Sequence, residues 1–85
     1  MTKEEVFSIF KELIYDNSYA VSRDEEIKLD SNLVWDLDLD SLDRVDIVIA
    51  AEKRFNIELD ENVIADLETV DEFVNLIVEK INAKK

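Results

Sequence analysis

Residues 36–47 read DLDLDSLDRVDI. Five aspartates surround one serine, Ser41, and the residues between them are mostly leucine. Three chemistries crowd carboxylates in this way: a metal loop, an acidic helix start, and a serine displayed for another protein to modify. Asp36, Asp38 and Asp40 have the first three ligand spacings of an EF-hand loop. The sixth position of that loop needs glycine and holds Ser41; the twelfth needs a bidentate glutamate and holds Ile47. No specific metal site is expected, and only weak divalent binding by clustered carboxylates stays open. The helix-start reading is sound: Asp40 can cap, Asp43 follows three residues on, and both acids suit the positive end of a helix dipole. It puts Ser41 in an exposed first turn at the mouth of a loop.

Downstream, residues 41–55 carry two apolar stripes. At about 100° per residue, Ile47, Val48, Ala51 and Phe55 fall on one side, and Leu42, Val45 and Ile49 fall nearly opposite. A surface helix needs only the first stripe. The second means either a helix buried on both sides or a partner-docking face of small apolar anchors ringed by charge. Asp43 and Asp46 flank it and favour docking, because unpaired buried aspartates are costly. Ser41 has no histidine anywhere in the chain and no obvious lysine base nearby, so it is not read as a nucleophile in its own right. Its hydroxyl could accept a phosphate ester, which the amides of a helix start tolerate. The neighbouring aspartates would repel it, and a modifying enzyme would have to supply the countercharge.

Upstream, residues 18–40 show no sustained period. They read as a long loop pinned by Ile27, Leu29, Leu33, Val34 and Trp35, and a loop of this length is expected to do something. Residues 3–15 form a first helix on Val6, Phe10 and Leu13, capped by Thr2, with Asn17 in a left-handed stop. Asn56 stops the second helix. ENVIADL, 61–67, reads as a short helix. Val70, Phe73, Val74, Ile77 and Ile81 mark a last one, with Thr69 or Asp71 at its start. The fold class is all-α: a small four-helix bundle of three main helices and a short third, with a long loop between the first two.

The chain of 85 residues suits a single domain, 1–85, and 47% hydrophobic content supplies one modest core. It has no cysteine, so it has neither a disulfide nor a thiol nucleophile, and a reducing cytoplasm is permitted. Having no glycine, it can hold no phosphate-cradling glycine loop. MTKEEVFSIF turns acidic too early for a secretory signal, and no apolar run approaches membrane-spanning length. A net charge of −12 disfavours nucleic acid and anionic membranes and favours proteins with basic patches.

DSLD followed by RVDIVIAAEKRFNIEL resembles the prosthetic-group site and second helix of acyl carrier proteins. Asn32 to Leu37 resembles the segment leading to the family's serine, and Leu59 to Val70 its third helix and the start of the fourth. From about residue 30 to 81 the likeness needs no gap; residues 1–29 match only in helix pattern and length. The resemblance implies a carrier and not an enzyme. A phosphopantetheinyl transferase would attach pantetheine 4'-phosphate to Ser41, within the motif residues Asp40, Leu42 and Asp43, and the arm's thiol would hold acyl groups as thioesters. Asp43, Val45, Asp46, Ile49 and Glu52 would form the face that docks on acyl-transfer, ketosynthase and reductase-type enzymes. Ile47, Val48, Phe55, Leu59, Ile64, Leu67 and Phe73 are the candidates to line a pocket for the acyl chain, although each alone could be plain core. A cytoplasmic monomer is expected. The family commonly has glycine where this chain has Asp38, and often proline where it has Asp60. Asp38 can take a left-handed conformation, and Asp60 can cap. Arg44 and Lys53 interrupt the acidic helix, Arg44 toward the core-facing side and Lys53 on the docking side. A specialised polyketide or lipid carrier, or an acidic interaction module without a prosthetic group, would share most of these features.

With 22 acidic against 10 basic side chains, self-repulsion opposes the compact state. Moderate salt or millimolar magnesium is expected to raise the melting temperature measured by circular dichroism. A melting temperature indifferent to both would remove self-repulsion as a determinant of stability.

Overall fold

Thr2 starts the first helix with a capping box. Its hydroxyl accepts from the Glu5 N–H at 3.2 Å, and its own N–H and hydroxyl donate to Glu5 Oε1. These bonds, the backbone one first, hold the Glu5 carboxyl below its ordinary pKa range. The contribution of the Glu5 carboxylate to the cap is therefore fully present near neutrality and is lost as pH falls through that lowered value, while the Glu5 N–H bond to the Thr2 hydroxyl does not titrate.

The computed structural model describes residues 1–18 and 26–83. In chain order the helices are α1 (Lys3–Asn17), α2 (Ser41–Phe55), α3 (Glu61–Ile64) and α4 (Val70–Ala83). The fold is all-helical, three long helices with a single turn, α3, between the second and the last. Among the described residues the only sheet-like pairing is an isolated antiparallel bridge between Asn32 and Thr69. α3 ends three residues before the expected 67, in a turn closed by the Leu67 N–H on the Ile64 carbonyl. Asp60 serves its start as anticipated: its carbonyl accepts from Ile64 N–H, and its carboxylate from Asn62 N–H at 2.8 Å.

Each long helix buries one stripe. α1 contributes Val6, Phe10 and Ile14; α2 contributes Ile47, Val48, Ala51 and Phe55; α4 contributes Val70, Phe73, Val74 and Ile77. In α4 these fall at i, i+3, i+4 and i+7, and in α1 and α2 they recur every three or four residues, the pattern of a helix with one face buried. α1 packs against both α2 and α4. Phe10 stacks on Phe73 with ring centroids 4.7 Å apart, joining α1 to α4. An exposed ion pair, Lys3 to Asp71 at 2.7 Å, links the starts of the same helices and adds little to stability.

The loop before α2 is built from backbone hydrogen bonds to the far end of the chain. Leu33 N–H donates to the Glu68 carbonyl at 2.8 Å, Val70 N–H to Ser31 at 3.0 Å and Asp71 N–H to Leu29 at 2.8 Å. The last two bonds satisfy first-turn amides of α4 that have no partner within the helix. Thr69 completes this cap, its hydroxyl accepting from the Glu72 N–H, so of the two candidates Thr69 does the capping. Ser31 is buried, with its hydroxyl accepting from Lys28 N–H.

Three expectations are corrected here. Asn17 is not a left-handed stop. It lies within α1, its side-chain amide donates to the Leu13 carbonyl at 2.8 Å, and the cap residue Ser18 is extended, with φ −131° and ψ 133°. Val34 and Trp35 do not pin the loop: both are exposed, Trp35 at 86%. The inward anchors are Leu37 and Leu39, each 3% exposed, together with Ile27 and Leu33. The cause is a helix-like turn that Asn32 organises. Its side-chain oxygen accepts from Val34 and Trp35 N–H, both at 2.9 Å, and its carbonyl accepts from Asp36 and Leu37 N–H. One helical turn puts Leu33 and Leu37 on the same side and turns residues 34 and 35 outward. Residues 19–25 of the expected loop lie outside the described residues.

The turn ends at Asp38, which has φ 54°. α2 ends at Asn56, with φ 55° and ψ 52°, its N–H bonded to the Glu52 carbonyl. Asp38 and Asn56 are the two positive-φ residues among those described. In a chain without glycine they are short polar types that tolerate this region best.

The turn predicts a sharp contrast. Leu37→Ala is expected to cost about 2–5 kcal/mol, whereas Trp35→Ala stays within about 0.5 kcal/mol of the parent, both measured by urea unfolding. Equal losses would mean that Trp35 is packed after all.

Candidate functional site

Ser41 is the first residue of α2 and is exposed. Asp40 precedes it as the N-cap, in extended conformation, and its Oδ1 accepts from Asp43 N–H at 2.8 Å. Upstream, Leu37 and Leu39 are buried, and between them the left-handed Asp38 turns the chain. The aspartates at 36, 38 and 40 point to solvent because the leucines that alternate with them do not. Asp36 acts locally, its Oδ2 accepting from Asn32 N–H at 2.7 Å. Among the described residues no group of three or more acidic side chains is arranged to hold a metal ion. Asp36 and Asp40 thus cap their own turns, as short acidic side chains commonly do.

A cleft of about 460 Å³ opens beside Ser41. One wall is the edge of α2, with Ser41, Arg44, Val45, Val48, Ile49 and Glu52; the other is Leu59, Ile64 and Ala65. Glu52 ties the walls together, its Oε2 accepting from Leu59 N–H at 3.2 Å. Of the pocket candidates, Val48, Leu59 and Ile64 line this cleft. Ile47, Phe55 and Phe73 are buried in the core, and Leu67 packs against it partly buried. Arg44, Val45, Ile49 and Ala65 were not among the candidates. The helical period carries the signal for Val45 and Ile49: at about 100° per residue they lie on the exposed stripe, next to Ser41 and Glu52 in the sector that separates it from the buried one, whereas Arg44 falls among the residues of the buried stripe and lines the cleft from there. Ala65 carries no such signal.

The second stripe of α2 is open to solvent: Leu42 is 73% exposed, Val45 52% and Ile49 44%. Asp46 beside it is exposed and Asp43 is half-buried. The alternative of a helix buried on both sides is therefore excluded. Arg44 is partly buried, and its Nε is enclosed without a hydrogen-bond partner among the described residues. Lys53 and Arg54 are exposed in the last turn.

Comparison with known proteins adds two kinds of likeness. Residues 19–77 match a family model described as a phosphopantetheine attachment site. The acyl carrier protein of Petrotoga mobilis is 40% identical over 82 residues, covering 96% of this chain and 94% of that protein. The acyl carrier protein of a Picosynechococcus species is 40% identical over 80 residues, covering 94% of this chain and 96% of its own. In three dimensions the crystal structure of an acyl carrier protein from Thermotoga maritima superposes with a TM-score of 0.84, covering 98% of this chain and 94% of that one, at only 17% identity. That last likeness concerns the fold, while the first three reach the sequence itself. Nearly end-to-end identity of this level, with the attachment-site model spanning the DSLD stretch, means that the chain belongs to the acyl carrier proteins, the family built around a phosphopantetheine attachment site.

Proposed function

We propose that Ser41 is the residue that carries the phosphopantetheine arm, and that the chain serves as one unit, 1–85, which carries acyl groups between separate enzymes and catalyses nothing itself. The observation that carries this reading is the exposed Ser41 hydroxyl at the rim of a mostly apolar cleft. The side chains present suit such a group. The hydroxyl is open to a transferase, Asp40 is turned away onto Asp43 N–H, and Val45, Val48, Ile49, Leu59 and Ile64 offer apolar cover. When bound, the arm supplies a terminal thiol on which acyl groups ride as thioesters, chemistry that a chain without cysteine cannot provide.

The division of labour among the chain's residues follows. Asp40 and Asp43 keep Ser41 in the first turn by closing the cap. Val48, Leu59 and Ile64 shelter the cargo, while Ile47, Phe55 and Phe73 act one layer deeper as the floor that keeps these walls apart. Leu42, Val45 and Ile49 are the apolar anchors of a docking face, with Asp43 and Asp46 as its charged rim. Glu52 has a second role as a strut to Leu59 N–H. Partners are the phosphopantetheinyl transferase and acyl-transfer, ketosynthase and reductase-type enzymes bearing basic patches. The four-helix description, with the single turn α3 as a full member of the bundle, and the assignment as a cytoplasmic monomer belong to the same proposal.

Co-expression with a phosphopantetheinyl transferase is expected to add one prosthetic-group mass to the wild-type chain and none to Ser41→Ala, as read by intact mass spectrometry. An unmodified wild-type chain across several transferases would refute the assignment. An acidic interaction module without an arm would instead bind its partners equally well with Ser41→Ala.

Asp46→Lys is expected to weaken association with a basic partner enzyme, most strongly at low salt, while the urea midpoint stays close to that of the parent because the charge is exposed. Unfolding of this variant would mean that the face is structural.

A further inference from the structure

Arg44 stands three residues after Ser41, so the two are neighbours along one helix face, and both line the same cleft. Its Nε is enclosed with no acceptor among the described residues. A buried donor left unpaired is rare in folded proteins and unfavourable. Two acids that share its helix start or its cleft already accept from other donors: Glu52 Oε2 from Leu59 N–H, and Asp40 Oδ1 from Asp43 N–H. The only other cationic side chains of α2, Lys53 and Arg54, lie in its last turn, about 18 Å along the axis from Ser41 at 1.5 Å per residue. Around Ser41 the charge is otherwise negative, with Asp36, Asp38, Asp40, Asp43 and Asp46 within five residues.

We propose that Arg44 is the positioning residue for the arm's phosphodiester. Once Ser41 is loaded, its guanidinium turns toward the cleft mouth and donates to the phosphate oxygens. The inference rests on the assignment of Ser41. A phosphodiester adds a negative charge where five carboxylates already repel it, and Arg44 is the cation that shares the cleft lining with Ser41. Guanidinium donors match phosphate oxygens in geometry and form strong charge-assisted bonds with them. Among the described residues of the unloaded chain Nε has no acceptor; loading supplies one. The guanidinium also leaves the cleft wall as it turns, so that anchoring the arm and widening the cleft are one motion.

The test compares full-length unloaded and loaded chains, with intact mass establishing the load. Side-chain nitrogen NMR follows the Arg44 Nε–H, and phosphorus NMR follows the phosphodiester. On loading, the Arg44 Hε resonance is expected to move downfield. The phosphorus signal of loaded Arg44→Gln is expected to differ from that of the loaded parent, while Lys53→Gln, which makes the same charge change in the last turn of α2, leaves it in place. Arg44→Lys, which keeps the charge but not the fork, guards against misfolding of the glutamine variant and is expected to recover part of the phosphorus shift. A loaded chain whose Hε does not move overturns the proposal. So does an Hε that moves while the phosphorus signal ignores Arg44→Gln, which would put the acceptor on the arm's amides. A missing mass increment overturns the Ser41 assignment itself, and the proposal with it.

Discussion

The amides at the start of α4 must find acceptors, and they find them in the loop that precedes α2. Val70 and Asp71 N–H bond to the Ser31 and Leu29 carbonyls, and the same strip of loop returns a donor from Leu33 to Glu68. Helix ends always present such unpaired groups; here the partner segment lies about 40 residues away in sequence. Closing that distance fixes where residue 33 sits. The Asn32 turn then starts from a fixed point, Leu37 and Leu39 drop into the core, and Asp38 reverses the chain so that Asp40 can cap α2. The exposure of Ser41 is the end of this sequence of constraints. A serine on an unanchored loop would be equally accessible, but it would not stand in a fixed relation to the cleft and to the outer stripe of α2.

The helical elements were legible in the sequence because their physics is local. Thr2 and Glu5 form their capping box within three residues, and the bounds of α2 follow from Asp40 on one side and Asn56 on the other. The apolar period separated the buried stripe of α2 from the exposed one. Asp38 was legible as a left-handed turn only through the resemblance, which puts glycine at that position; its short polar side chain then makes the conformation tolerable. The loop resisted because polar side-chain bonds, and not an apolar period, decide which of its residues turn inward. Trp35 is the largest apolar side chain in the segment, and hydrophobicity alone assigns it to the core. What turns it outward is the side-chain oxygen of Asn32 on two successive amides, a local Asx-type turn that a reading by hydrophobicity passes over. Asn17 failed in the same way: its amide had a nearby carbonyl, Leu13, within the last turn of α1, and so had no need of a left-handed cap.

The site was legible in part. The position of Ser41 and the outward stripe follow from cap chemistry and a 3.6-residue period. The cleft does not, because its second wall comes from Leu59, Ile64 and Ala65, outside α2, with Leu59 N–H bonded to Glu52 across the two walls. A pocket drawn from apolar residues alone therefore included core side chains such as Phe73 and omitted the edge residues. Large apolar side chains at a, d-like positions fill the interior. A cleft is bounded by the residues at the border of the buried stripe, which are smaller, partly exposed or charged.

That border location couples two features that stand apart in sequence. Val45 and Ile49 belong both to the exposed stripe and to the cleft wall. A protein seated on the stripe must then also touch the rim of the cleft, and whatever occupies the cleft changes the surface the partner meets. Such coupling needs no long-range pathway, since two ligands that share residues alter each other's affinity by direct contact. The acids follow the same geometry. Asp46 lies beside the stripe and outside the cleft lining, while Asp40 is tied down by its own cap, so the negative charge at this end of α2 faces solvent. The cationic Arg44 remains on the cleft side. The cleft lining therefore carries one cation, Arg44, beside one acid, Glu52, that is already engaged by Leu59 N–H.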